Sequence, residues 1–211
     1  MKYFNSLPLI TTTDVKGNSY LLRNLLVRTE LIPQLSKNPL VMYQYEVRDG
    51  DTPEIIANKY YGDSYRYWMV LYGNPNIVDP QGDWPKSSQQ FNLYLNDKYA
   101  DAANTAGQSV LAYTQSTIHH YEKIITTIDN DSRTTAIKNV WVDLDTYNSI
   151  IPSTTTNTFT NGSSVTLSIS SNAISIYDYE NGLNETKRNI NLINSNYINQ
   201  MESQYQSLVS L

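Results

Sequence analysis

The chain has 211 residues, a formal net charge of −5 and only 17% charged side chains, a length that suits one large or two small domains. With a sequence pI of about 4.9 and no cluster of Lys and Arg, it lacks the basic face that nucleic-acid binding requires, and the acidic balance sits poorly with an anionic membrane surface. The absence of cysteine excludes disulfides, Cys-ligated zinc and a Cys nucleophile, and with neither a continuous apolar run at the N-terminus nor ~18 apolar residues together anywhere, the chain is expected to be soluble and made in the cytoplasm.

Residues 1–40 read as an irregular N-terminal docking arm. The stretch Tyr20-Leu21-Leu22-Arg23-Asn24-Leu25-Leu26-Val27-Arg28 is apolar but fits neither a period of 2 nor one of 3.6, and Pro33 and Pro39 interrupt the chain beyond it. Extended chain that docks on its own body or on a partner is the expectation, with Arg23, Asn24, Leu25 and Arg28 as contact residues.

Residues 41–100 form a small helical module. Tyr43, Tyr45 and Val47 alternate with Gln44 and Glu46, the pattern of a half-buried strand. Arg48-Asp49-Gly50 turns the chain. Thr52 then caps a helix, with Pro53 at its first position and Glu54 near its positive end. Ile55, Ile56, Ala57 and Tyr60 supply the expected buried face, and Gly62 stops the helix. Asp63 or Ser64 caps a second helix running to about Tyr72, with Tyr65, Trp68, Met69 and Tyr72 on one side. Gly73 ends it, and Asn74-Pro75-Asn76 and Asp79-Pro80-Gln81-Gly82-Asp83-Trp84-Pro85 are turn and loop. Ser87 and Gln90 match a capping box for a third helix, whose stripe is Phe91, Tyr94, Leu95 and Tyr99.

Residues 101–112 are small and polar around Gly107 and read as a linker. Residues 113–211 are expected to form a β-rich module ending in a helix. β-Branched and aromatic residues mark strands over 118–128, 136–144, 165–169 and 173–177. Asn161-Gly162 is a hairpin signal, and Asn181-Gly182 is read as a further turn. A short strand over 189–193 leads to a helix over 195–208, with Ile198, Met201, Tyr205 and Leu208 on its apolar side. The fold class is α+β.

Little in this pattern is catalytic. His119 and His120 are the only histidines. Adjacent in a strand, they point to opposite faces and share a ligand only if a bulge intervenes. Asp143 and Asp145 share a face, but the run after them lacks the Gly and the distal Glu of a calcium loop. Asp129 and Asp131 sit where turns favour Asp for backbone reasons. No phosphate-binding loop, nucleophile elbow or zincin helix occurs. No catalytic residue, metal ligand or cofactor is therefore assigned. The 18 Tyr against 3 Phe and 3 Trp suit protein contacts, since Tyr joins apolar area to a polar tip; codon bias is the plain alternative. Trp68 and Trp84 are core residues on the simplest reading.

Two resemblances stand on these residues. Tyr45, Val47, Gly50, Asp51, Thr52, Ile56, Ala57, Tyr61, Gly62, Trp68 and Asn74 resemble a LysM module. That likeness implies a βααβ fold and a glycan of peptidoglycan or chitin as partner. The chain departs from the pattern after Asn74, where Asp79 to Pro85 leads toward a helix instead of the family's return strand. Asp51-Thr52-Pro53-Glu54, Tyr60-Tyr61-Gly62-Asp63, Tyr67-Trp68, Asp79-Pro80, Asp83-Trp84-Pro85 and Asn184-Glu185-Thr186-Lys187-Arg188, with Arg23 to Arg28 in the arm, are similar to the gene product 53 family of baseplate wedge subunits in T-even-type contractile-tailed phages. This second likeness implies a structural virion protein that joins adjacent wedges. Its partners would be other wedge and hub proteins, with assembly in the host cytoplasm and no catalysis.

Overall fold

The computed structural model describes residues 3–27, 29, 31 and 38–209; Arg28 and Pro33 lie outside them. In chain order the elements are β1 (Leu9–Thr13), β2 (Ser19–Arg23), β3 (Met42–Glu46), α1 (Pro53–Tyr61), α2 (Tyr67–Tyr72), α3 (Ser88–Thr105), α4 (Val110–Ser116), β4 (Ile118–Asp129), β5 (Thr134–Val142), α5 (Leu144–Ser149), β6 (Ser153–Thr158), β7 (Ser164–Ser175), α6 (Ile176–Thr186), β8 (Asn189–Ile193) and α7 (Ile198–Val209). The α+β class holds. The chain divides into two compact units, residues 1–90 with 184–211 and residues 91–183.

In the first unit, local chemistry sets α1 as expected. Thr52 accepts from the Ile55 amide, Pro53 occupies the first turn, and Gly62 closes the helix in the left-handed region at φ 71°. The buried face is shifted by one residue at each end from the expected one. Ile56, Ala57 and Tyr61 are buried, whereas Ile55 is 42% exposed and Tyr60 only partly covered. Asp63 caps a short 3-10 turn, Ser64–Arg66, before α2 begins. Trp68, Met69 and Val70 are buried there, while Tyr65 is exposed.

The strand that returns to β3 is β8. The two are antiparallel, with Met42 opposite Ile193 and Glu46 opposite Asn189. The return strand missing after Asn74 is therefore supplied from far downstream, and β8 and α7 pack in the first unit instead of with the β-rich segment. Ile190, Leu192, Ile193, Met201, Tyr205 and Val209 join Val47, Ile56, Trp68, Met69 and Trp84 in one core. Leu208, expected on the apolar side of α7, is 53% exposed, and Val209 takes its place.

The arm is not irregular throughout. β1 and β2 form an antiparallel hairpin. Asp14 closes its turn by accepting from the Lys16 and Asn18 amides, and Gly17 supplies the positive φ of 84°. Every position of both strands is exposed.

In the second unit, the stretch expected as a linker is largely helical. The helix α3 continues to Thr105, Gly107 follows at φ 66°, and Ser109 caps α4. A four-stranded antiparallel sheet in the order β5-β4-β7-β6 comes next. Three elements differ from expectation, the first being α5, which Asp143 caps and which starts at Leu144, inside the strand expected over 136–144. Residues 153–158, masked in sequence by their Ser and Thr, form β6. The segment expected as a strand over 173–177 is instead the end of β7 and the start of α6, and α6 runs through Asn181-Gly182 without turning.

Candidate functional site

Of the residues singled out by the LysM-like pattern, Tyr45, Gly50, Asp51 and Thr52 meet around the loop joining β3 to α1. Gly50 takes φ 79°. The Asp51 carboxylate, almost wholly buried, accepts from Tyr45 Oη at 2.8 Å, Lys59 Nζ at 2.6 Å and the Arg48 amide at 3.3 Å. Burial opposes its charge, but the bonds from Lys59 and Tyr45 outweigh that and hold its pKa below the ordinary value. The same burial, reinforced by Asp51, raises the Tyr45 phenol. The Asp51 carbonyl in turn accepts from Trp84 Nε1 at 2.8 Å. Trp84 and Pro85 are buried, so the tryptophan anchors its loop to the core and does not present its ring to solvent.

Asn74 works as a piece of backbone. It is 3% exposed. Its Nδ2 donates to Val70 O and to Asn191 O, both at 2.7 Å, and its Oδ1 accepts from Asn191 N at 2.8 Å. Trp68 sits in an aromatic cluster with Tyr3, Tyr72 and Tyr205, ring centroids 5.9, 6.0 and 5.0 Å away.

The motif Asn184 to Arg188, significant in sequence only through resemblance, proves to be a clasp. Asn184 accepts from Lys86 N at 2.7 Å and donates to Lys86 O at 3.0 Å. Lys187 Nζ donates to Gly82 O, and Arg188 Nη1 donates to Val47 O. Beside this clasp an open groove of about 620 Å³ runs past the start of α1, bordered by Pro53, Glu54, Tyr67, Pro80, Gln81 and Lys86.

In the arm, Arg23 Nη1 donates to Leu7 O at 2.6 Å and Asn24 N to Pro8 O at 2.8 Å. Both residues therefore fix the root of the hairpin. Leu25 is 65% exposed.

The second unit holds a node that sequence reading missed. Glu180, 5% exposed, accepts from Tyr94 Oη, Lys98 Nζ and Tyr99 Oη at 2.8, 2.7 and 2.6 Å. Its only sequence signal is the tyrosine spacing on α3. The histidines also differ from expectation. An irregularity between Ile118 and His120 brings the two Nδ1 atoms to 2.8 Å. His119 stacks on Tyr179, and His120 stacks on Trp141 and meets Glu122. Asp129 and Asp143 cap backbone turns, accepting from Ser132 N and Thr146 N. Among the described residues, no group of three or more His, Asp or Glu is placed to hold a metal ion, and no helix is long and apolar enough to cross a membrane.

No curated protein matches the chain. A family model matches residues 35–208, a span that includes the Asp51 loop, the Asn74 ladder and the Asn184–Arg188 clasp, and the chain belongs to that family, described as base plate wedge protein 53.

Proposed function

We propose that this chain joins adjacent wedges of a contractile-tail baseplate, working by contact alone and turning over no substrate. The family is a structural component of the phage tail baseplate and interacts with other baseplate proteins. Wedge and hub subunits are the partners of this reading, and assembly takes place in the host cytoplasm before the particle is complete. The observation that carries the proposal is the arm. Leu9, Ile10, Leu21 and Leu22, on a two-stranded hairpin that is marginal in water without a third partner, and Leu25 and Leu26 just after it are all more than 40% exposed. Clustered apolar surface of this kind marks a binding site. Tyr3 before it and Val27 and Leu31 after it pack on the core, so the hairpin is rooted at its base while its two strands are exposed at every position.

The test is a tagged pull-down from infected cells together with analysis of purified tails. Baseplate proteins co-purifying in fixed ratio support the reading, and absence of the chain from purified tails overturns it.

The groove beside α1 favours a second reading, a glycan-binding module. Its prolines, Tyr67 and amide groups offer apolar and hydrogen-bonding surface together. Sedimentation of the folded chain with peptidoglycan at micromolar concentration supports this reading; a chain left in the supernatant removes it.

A further inference from the structure

The hairpin β1–β2 differs from an ordinary surface ribbon in where its apolar side chains point. A strand with one covered face and one wet face alternates apolar and polar residues, whereas a strand covered on both faces carries apolar residues in succession. Leu9-Ile10 in β1 and Leu21-Leu22 in β2 are such successive pairs. The register sorts them onto two faces. Ile10 lies opposite Leu22 and Thr12 opposite Tyr20, which sets Ile10, Leu22 and Tyr20 together; Leu9, opposite Arg23, and Leu21, opposite Thr11, share the other face. Ile10, Tyr20 and Leu22 are 41%, 50% and 51% exposed, and Leu9 and Leu21 51% and 64%, so neither face is covered by the unit that carries the arm.

Charge is confined to the two ends of the ribbon. Asp14 and Lys16 lie in the turn, where Asp14 accepts from the Lys16 and Asn18 amides. At the root, the Arg23 guanidinium donates to Leu7 O. Among the described residues each strand pairs only with the other, so each also keeps one edge of backbone N–H and C=O groups outside the ladder. Two apolar faces, two polar edges and charged ends together define the chemistry of a surface that can enclose this ribbon.

We infer that the hairpin inserts into a slot with two apolar walls formed by neighbouring baseplate subunits, and does not lie on one flat patch. The inference rests on the wedge-joining reading above, with the arm as its joining surface, for the identity of the neighbour. Strands of five residues, at about 3.4 Å for each residue, make the slot about 17 Å deep. Other occupants fail on one of these features. A single flat surface covers one face and leaves the apolar side chains of the other in water. A bilayer covers both faces but offers no hydrogen-bond partner to the two open edges. A second copy of this chain, stacked hairpin on hairpin about a two-fold axis, buries the same face of each and leaves the opposite face wet. The copy's groove beside α1, at about 620 Å³, has the size of a small-molecule site and not of a two-stranded ribbon.

Leu21 and Leu22 are neighbours in sequence on opposite faces, so they separate a slot from a patch. Leu21→Asp and Leu22→Asp should both keep the wild-type melting temperature. Competing with wild type in one infected culture, each should enter purified tails about tenfold less, and the double variant about 100-fold less, because the two side chains meet different walls. A photo-crosslinking benzoylphenylalanine at either position should capture another baseplate subunit within purified tails. Loss of incorporation from one variant alone, or capture from one position alone, overturns the slot and leaves the arm a one-sided contact. A double variant no worse than either single variant, or capture of a second copy of this chain from both positions, also overturns it. A lowered melting temperature does so too, since it places that face against the arm's own unit. Wild-type incorporation of both variants sinks this inference together with the arm as joining surface, whereas a chain absent from tails sinks the wedge reading itself.

Discussion

Asn74 and Asn191 are 117 positions apart, yet the Asn74 side chain pairs with both the N–H and the C=O of Asn191. A side-chain amide thereby extends the β3–β8 sheet toward the end of α2, and the same group holds Val70 O. The first unit is thus stitched across the long excursion of its own chain. Replacing Asn74 by Ala leaves a buried donor and two buried acceptors unpaired. At about 1–3 kcal/mol for each such group, discounted for water reaching some of them, Asn74→Ala should cost about 2–4 kcal/mol in urea unfolding of the first unit. A loss below about 0.5 kcal/mol, the range of ordinary surface changes, contradicts the role assigned.

Two glycines test the same packing with opposite signs. Gly73, at φ −70°, is in helical conformation, where alanine is normally the better residue by about 1 kcal/mol. A Cβ at Gly73, however, would lie 2.8 Å from Asn191 O, a backbone atom that cannot swing away. Gly73→Ala should therefore destabilise. Gly182, within α6, faces open space, so Gly182→Ala should stabilise by about 0.5–1 kcal/mol. Thermal melting of both variants checks the pair: a Gly73→Ala variant as stable as the wild type or more so refutes the close approach, and a destabilised Gly182→Ala variant refutes the open space at Gly182.

The same contrast between local and distant causes separates the legible parts of the fold from the hidden ones. The helix α1 is legible in sequence because its signals are local: Thr52-Pro53-Glu54 starts it and Gly62 ends it. Residues 189–193 are legible as a strand for the same reason. The partner of that strand is not, because pairing β8 with β3 depends on contacts that no local period records. Asn181-Gly182 misleads as a turn signal, since tertiary packing carries α6 through a dipeptide whose intrinsic preference is to bend. The hairpin β1–β2 has a signal in Asp14 and Gly17 flanked by β-branched and apolar runs, which the aperiodic Leu-rich stretch obscures. Of the site, the capping and turn residues of the Asp51 loop are readable as such. The roles of Asn74 and Asn184 are not, because each acts on backbone from a distant part of the chain.

The Glu180 node makes the second unit sensitive to pH at both ends. Burial opposes the Glu180 charge, but Lys98, Tyr99 and Tyr94 hold its pKa below the ordinary 4.5. The unfolded chain therefore binds this proton more readily, and the stability Glu180 contributes is present above its unfolded pKa and lost as pH falls through its lower folded value. Tyr99 behaves in the opposite sense. Burial, reinforced by Glu180, pushes it up to about 12 from 10.0, so its contribution is present below 10 and lost as pH rises toward 12. Glu180→Gln should flatten both limbs of a urea-midpoint profile, the alkaline limb still beginning near 10 but ending at lower pH than in the wild type. A variant profile superimposable on the wild type refutes the assignment.

The arm gives the most direct separation of folding from assembly. Leu22 lies opposite Ile10 across the hairpin. Leu22 and Leu26 are 51% and 88% exposed, so neither supports the core and a charge at either meets water. Leu22→Asp and Leu26→Asp should each change stability by no more than about 0.5 kcal/mol. Docked against a neighbouring subunit, the same positions would become buried, and an unpaired carboxylate there is costly. Each variant should therefore enter purified tails about tenfold less than wild type when the two compete in one infected culture, the loss that corresponds to about 1.4 kcal/mol at a single contact. Unchanged melting with unchanged incorporation would show that the hairpin faces solvent in the particle and that the joining surface lies elsewhere on the chain. Reduced melting would show instead that the arm packs on its own unit.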